Sequence, residues 1–80
     1  MPYLKKERRR ELSKGQEPET PGDLNYLFTI IIKEYLDIKD QSYQTYNDII
    51  GALEACKLEL YRRKAVPYED KKIGKNGDVF

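Results

Sequence analysis

Ile49-Ile50-Gly51-Ala52-Leu53-Glu54-Ala55-Cys56-Lys57-Leu58-Glu59-Leu60-Tyr61-Arg62-Arg63 decides the fold of this chain. It is a long run of good helix formers with no proline and a single glycine. With Tyr46 just ahead of it, Ile49, Leu53, Cys56 and Leu60 recur at alternating steps of three and four residues, the pattern of a coiled-coil seam. Ile50, Leu58, Tyr61 and Ala65 add apolar surface elsewhere around the same helix. A helix that is apolar on more than one side needs a partner on more than one side. Gly51 with Ala55, and Ala52 with Cys56, place small residues four apart, where another helix can approach closely. Gly51 costs the helix about 1 kcal/mol relative to alanine, which close packing would explain.

Working outward, Ser42 or Thr45 caps this helix, and Pro67 ends or kinks it near residues 65–66, because proline removes a backbone donor. Pro67-Tyr68-Glu69-Asp70 reads as a fresh first turn, predicting a short third helix to about Gly74, followed by a turn at Asn76-Gly77-Asp78. Val79 and Phe80 form an apolar end able to dock onto a neighbour.

Before the linker Lys39-Asp40-Gln41 a second helix is signalled. Thr20 is a good N-cap, Pro21 suits the first helical position, and Asp23 sits three residues after the cap. A carboxylate there meets free backbone N–H groups and the positive end of the helix dipole. Leu24, Leu27, Phe28, Ile31 and Tyr35 form one stripe, with Ile30 and Ile32 hinting at a second buried face. Thr29 to Ile32 also reads as a strand, but the capped start and the helical spacing favour helix.

Residues 1–20 read as an arm. Lys5 to Glu11 is charged throughout and allows a short helix over 5–12; Ser13 to Glu19 is poor in apolar residues and is expected to be extended. Pro2, Tyr3, Leu4 and Leu12 are the groups available to anchor it. The sequence therefore predicts an all-α protein: a basic N-terminal arm over residues 1–19 and a helical domain over 20–80. That domain is a small helical hairpin, with main helices at 20–37 and 43–66 and a short third helix or turn.

Composition narrows the function. The chain has 80 residues, one cysteine and no histidine. So small a core usually needs a staple, and neither a disulfide nor a conventional zinc site can be assembled from this inventory. Self-association is the staple that remains, so the first expected partner is a second copy, in a homo-oligomer of order the sequence does not fix. Cys56 reads as a small buried hydrophobe. The apolar run Leu27 to Ile32 is too short to cross a bilayer, and no signal peptide is visible, so a cytoplasmic protein without membrane contact is expected.

The net charge is +1, distributed as +2 over residues 1–20, −2 over 21–40, −2 over 41–60 and +3 over 61–80. Catalysis is not expected: a serine or cysteine nucleophile lacks a histidine base, Glu69 and Asp70 point about 100° apart on a helix, and there is no phosphate-cradling glycine loop. No cofactor or metal is expected either. Binding is better served. Tyr61, Arg62, Arg63, Lys64 and Tyr68 gather two rings and three cations, suited to phosphate and to stacking on a base. Against that stands the plainer reading, in which Tyr61 packs in the core and the cations answer the helix dipole. Arg8, Arg9 and Arg10 of the arm are expected to close over the ligand. Lys5, Lys6 and these arginines also suit nucleic-acid phosphates, but Glu7 and Glu11 dilute the run and a near-neutral chain is a poor nucleic-acid binder. Seven of the nine aromatic residues are tyrosines, which favours interfaces and wet pockets over dry cores.

Thr20-Pro21-Gly22-Asp23-Leu24-Asn25-Tyr26, Ile50-Gly51-Ala52-Leu53-Glu54, Lys57-Leu58-Glu59-Leu60-Tyr61-Arg62-Arg63, Pro67-Tyr68-Glu69-Asp70 and Asn76-Gly77-Asp78-Val79 belong together with Met1-Pro2-Tyr3. Over nearly the whole chain they resemble a family of short uncharacterised proteins of bacteria and their phages, a domain of unknown function. The resemblance carries over no catalytic residue. It suggests, by analogy of size and type, a phage-encoded sponge that sequesters a nucleotide-derived immune signal. The expected function is a non-enzymatic binder of a small, nucleotide-like anion. The competing readings are a protein–protein interaction module without a small ligand, and nucleic-acid binding through the arm.

Overall fold

The computed structural model describes residues 4–80. It is all-α: among the described residues the order is α1 (Lys6–Ser13), α2 (Pro21–Ile38), α3 (Tyr43–Leu60), a π-helical turn (Tyr61–Ala65) and α4 (Val66–Asn76). Contacts group the chain into two units, Met1–Thr45 and Tyr46–Phe80. The two main helices therefore belong to different units. The anchors Pro2 and Tyr3 lie outside the described residues, as does Met1.

In the first unit, α2 begins where the capping chemistry places it. Thr20 has extended backbone and its hydroxyl oxygen accepts from the Asp23 N–H at 3.0 Å, with Pro21 entering the first turn. The β-branched run after it is helical, and Thr29 helps by donating its hydroxyl to the Asn25 carbonyl at 2.8 Å. The segment before Thr20 is more than an arm. Residues 6–13 form a helix whose Leu12 is 3 % exposed, the one buried apolar side chain among the described residues. Leu4 reaches Gly22, where an added Cβ would stand 3.3 Å from its Cδ2. Gly15, at φ 103°, stops α1 in a backbone conformation that glycine adopts without strain, and its N–H donates to the Leu12 carbonyl at 3.1 Å.

The cap of α3 lies at the end of the first unit and is Ser42 rather than Thr45: the Thr45 N–H donates to the Ser42 hydroxyl at 3.2 Å. The helical path runs on past Pro67. The turn ahead of it widens, so that Val66 N–H donates to Tyr61 O, five residues back, and helical dihedrals continue from Leu60 through Ala65 and Val66. A wide turn absorbs the donor that Pro67 lacks. Gly77, at φ 86°, closes α4 with its N–H on the Ile73 carbonyl at 2.8 Å.

Burial differs from what the stripes predict. Of the α2 stripe, Leu27 is half-buried while Leu24, Phe28, Ile31 and Tyr35 are exposed; Ile30 and Ile32, read as the second face, are half-buried. From Tyr46 to Phe80 no side chain is buried, and only Ile49, Ala65 and Val66 are intermediate. Cys56, expected inside, is exposed, as is every residue from Ile50 to Lys64. Tyr61 is likewise half exposed rather than part of a core. Among the described residues, no atom beyond its chain neighbours and the local helix backbone stands within 4 Å of a Cβ placed on Gly51. Val79 and Phe80 are fully exposed.

Thr20→Ala removes a cap and leaves the Asp23 N–H without its acceptor. It is expected to cost about 1 kcal/mol in thermal or urea melting, with Thr20→Ser close to wild type.

Candidate functional site

The best-built part of the molecule is the junction of α1 with the start of α2, and one ion pair organises it. Asp23, at 2 % exposure, is the most buried polar residue described. Arg8 approaches it with Nε at 3.2 Å from both carboxylate oxygens and Nη2 at 2.6 Å from Oδ2. The Glu19 N–H donates to the same Oδ2 at 2.9 Å, so the N3 carboxylate reaches back past the cap residue to the one before it. Arg8 spends its remaining reach on the Glu17 carbonyl at 3.2 Å and on Glu11 and Glu19, each at 3.8 Å. The Arg8 guanidinium, then the Glu19 N–H, hold the Asp23 carboxyl well below the usual carboxylate range, and the same pair raises Arg8. Arg8 is therefore a structural clamp, its fork occupied.

Helical spacing then sorts the remaining charges of α1. Arg8 and Leu12 are four apart and face α2. Lys6, Arg9, Arg10 and Ser13 follow i, i+3, i+4, i+7 and share another face. Together with Tyr26 of α2 they line an open concavity of about 320 Å³. The Ser13 and Tyr26 hydroxyls stand 3.3 Å apart, within hydrogen-bond reach. Three cations and two hydroxyls line this space without a carboxylate. Arg9 Nε is buried and has no hydrogen-bond partner, the one such side-chain atom among the described residues. A buried guanidinium N–H without an acceptor is expensive.

The cluster expected near residues 61–68 is built differently. Tyr61 donates its hydroxyl to Glu69 at 2.8 Å, a bond that raises the Tyr61 pKa. Arg62 Nη2 lies 3.1 Å from both oxygens of Glu59, and Arg63 Nε also bonds Glu59. Tyr68 carries Lys72 Nζ 5.6 Å from its ring centre. Lys64 makes no ion pair among the described residues. These side chains are exposed on the π turn and α4, and one carboxylate, Glu59 of α3, answers two of the three cations. Of the eight expected ligand residues, Arg9 and Arg10 line the concavity, Arg8 braces it, and Tyr61, Arg62, Arg63, Lys64 and Tyr68 lie in the other unit. Sequence reading missed Lys6 as a lining residue, and Ser13 and Tyr26 entirely. The periodicity of α1 carried the signal for Lys6 and Ser13, once Arg8 and Leu12 are assigned to the α2 side.

Among the described residues, no three of His, Cys, Asp and Glu come together as a metal would need, and no helix is long and apolar enough to cross a membrane. A family profile described as a domain of unknown function, DUF6899, matches residues 1–79. The chain belongs to that family. No curated protein and no solved structure matches it.

The Asp23 lock has a pH signature. The folded carboxyl binds its proton less tightly than the unfolded one, whose ordinary value is about 3.9. The lock's contribution is thus complete above that value and is lost as pH falls below it, between about pH 4 and 2. Melting temperature followed across this range is expected to fall in the wild type and to be flatter in Asp23→Asn, which starts lower. Arg8→Ala is expected to lower the neutral-pH melting temperature more than Arg10→Ala does, since it leaves Asp23 buried without its cation.

Proposed function

We propose that this protein is a non-enzymatic binder of a small phosphate-bearing anion, and that the concavity between α1 and Tyr26 is where it binds. The supporting observation is the lining itself: Lys6, Arg9 and Arg10 meet at one concavity with no carboxylate among its lining residues. Arginine gives paired donors to phosphate oxygens, lysine adds a point charge, and the Ser13 and Tyr26 hydroxyls can donate to the same group. Tyr26 also offers a ring edge to whatever the phosphate carries, which favours a nucleotide over inorganic phosphate. Arg62 and Arg63 serve less well, because Glu59 already occupies both. Were the family one of bacteria and their phages, which the motifs resemble, such a binder would serve as a sponge for a nucleotide-derived immune signal.

Nucleic-acid binding is the weaker alternative. Three cations on two turns of one helix make a local anion site rather than a track along a backbone, and the chain as a whole carries only +1.

Titration calorimetry with nucleoside mono- and diphosphates, adenine and guanine dinucleotides, and inorganic phosphate tests the reading. Arg9→Ala with Arg10→Ala is expected to abolish binding with helicity unchanged, and Arg62→Ala with Arg63→Ala to leave it intact. Binding lost only in the second pair would move the site to the π turn. No binding to any of the panel, together with no extra mass on the protein in native mass spectrometry after mixing with extract of phage-infected bacteria, would remove the proposal.

A further inference from the structure

Lys6, Arg9 and Arg10 bring three positive charges to one concavity. None of the three makes an ion pair among the described residues, whereas Arg8, Lys57, Arg62 and Arg63 are each answered by a carboxylate. Lys6 and Arg10 are four residues apart, about 6 Å of helix. The charges therefore gather around a point, and an anion that answers them carries its charge in one place. Ser13 and Tyr26 complete the lining, and their hydroxyls stand 3.3 Å apart. One O–H serves that bond, which leaves the other to donate to a ligand.

We infer that the group this concavity takes is a terminal phosphate monoester, and that it discriminates against phosphodiesters, cyclic dinucleotides included. This deepens the phosphate-binding reading above and rests on it. A monoester presents three free oxygens and about −1.5 to −2 of charge at neutral pH. A diester presents two free oxygens and a single charge. Two guanidinium forks, one ammonium and one free hydroxyl offer more donors than two oxygens can accept. Shape agrees with charge. The end of a ligand enters an open concavity and leaves by one bond, while a diester must lead two substituents out between α1 and Tyr26.

The same lining says where the titrating proton sits. The ionisable groups at the concavity are Lys6, Arg9 and Arg10 from α1 and Tyr26 from α2; Glu7 and Glu11 of α1 are not among the lining residues. The chain has no histidine, and lysine, arginine and tyrosine each keep one charge state between about pH 5 and 7. The Asp23 lock, which fixes α1 against α2, is complete over that range. A change of affinity there belongs to the ligand: a monoester takes up a proton near about pH 6 and falls to a single charge, and a diester does not.

Titration calorimetry of the full-length protein with adenosine and guanosine 5′-monophosphate, and with the methyl ester of each, tests the inference. The methyl esters are expected to bind roughly tenfold more weakly near neutrality, the size of one lost charge-assisted contact. Lowering the pH from about 7 to about 5 is expected to weaken the monoesters about tenfold and leave the methyl esters unchanged. Ribose 5-phosphate carries the same group without a base; binding as tight as the nucleotides supports the monoester and makes the source a sugar phosphate. Lys6→Ala, at an exposed position, is expected to keep helicity and narrow the preference for the monoester. Equal weakening of both ligand types by Lys6→Ala overturns the assignment of that preference to this lining. Methyl esters that bind as tightly as the monoesters, or monoesters whose affinity is unchanged at the lower pH, overturn the inference and leave a phosphate site standing. Binding of no ligand removes the site, and the inference with it.

Discussion

The first unit depends on one contact: a guanidinium from α1 meeting the carboxylate that already caps α2. Asp23 would serve as an N-terminal carboxylate without Arg8, and α1 is short enough that its own hydrogen bonds hardly sustain it. Joined, each completes the other. Arg8 supplies the countercharge that lets Asp23 be buried, and Asp23 fixes the rotation of α1 about its axis. That rotation decides which α1 side chains face α2 and which turn toward the concavity. The mixed charge run from Lys5 to Glu11 looks diluted in one dimension. Folded, it separates into Glu11 beside Arg8 on one side, and Lys6, Arg9 and Arg10 on another. The same lock that holds the unit together creates an unopposed patch of positive charge.

Local signals were the readable ones. The cap at Thr20, the proline at the first turn, the carboxylate at Asp23 and the helical periodicity of α2 and α3 all act within a few residues, and each is found where the sequence put it; α4 instead runs on through Asn76, where a turn is expected. Pro67 was read as an end or a kink because its missing donor is a local fact. The way around it, a turn widened to reach five residues back, is equally consistent with that fact and leaves no separate trace in composition. Burial was the least readable property. Cys56 and Tyr61 have the character of interior residues, but interior depends on what lies across from them, and a helical period cannot say whether the facing surface belongs to the same chain.

The candidate site shows the same division. Arginine-rich stretches at residues 8–10 and 62–63 look alike as composition, and their difference lies in the carboxylates that each helix turns toward them. Glu59 stands three and four residues before Arg62 and Arg63, a spacing that pairs them on one face and could have been read in advance. The engagement of Arg8 with Asp23 spans fifteen residues, and no periodicity reports it. Ser13 and Tyr26 became lining residues only through that same long-range contact.

The π turn adds one residue to a helical path that otherwise runs on from α3 into α4. One residue is about 100° of rotation, so every side chain after the turn takes the azimuth its predecessor would have had in an unbroken α-helix. Counted that way, Tyr68 and Lys72 fall in line with Tyr46, Ile49, Leu53, Cys56 and Leu60, where an unbroken helix would carry them round toward another side. In effect the extra residue resets the helical count ahead of Pro67, and one edge runs on from α3 into α4 without a break in the backbone.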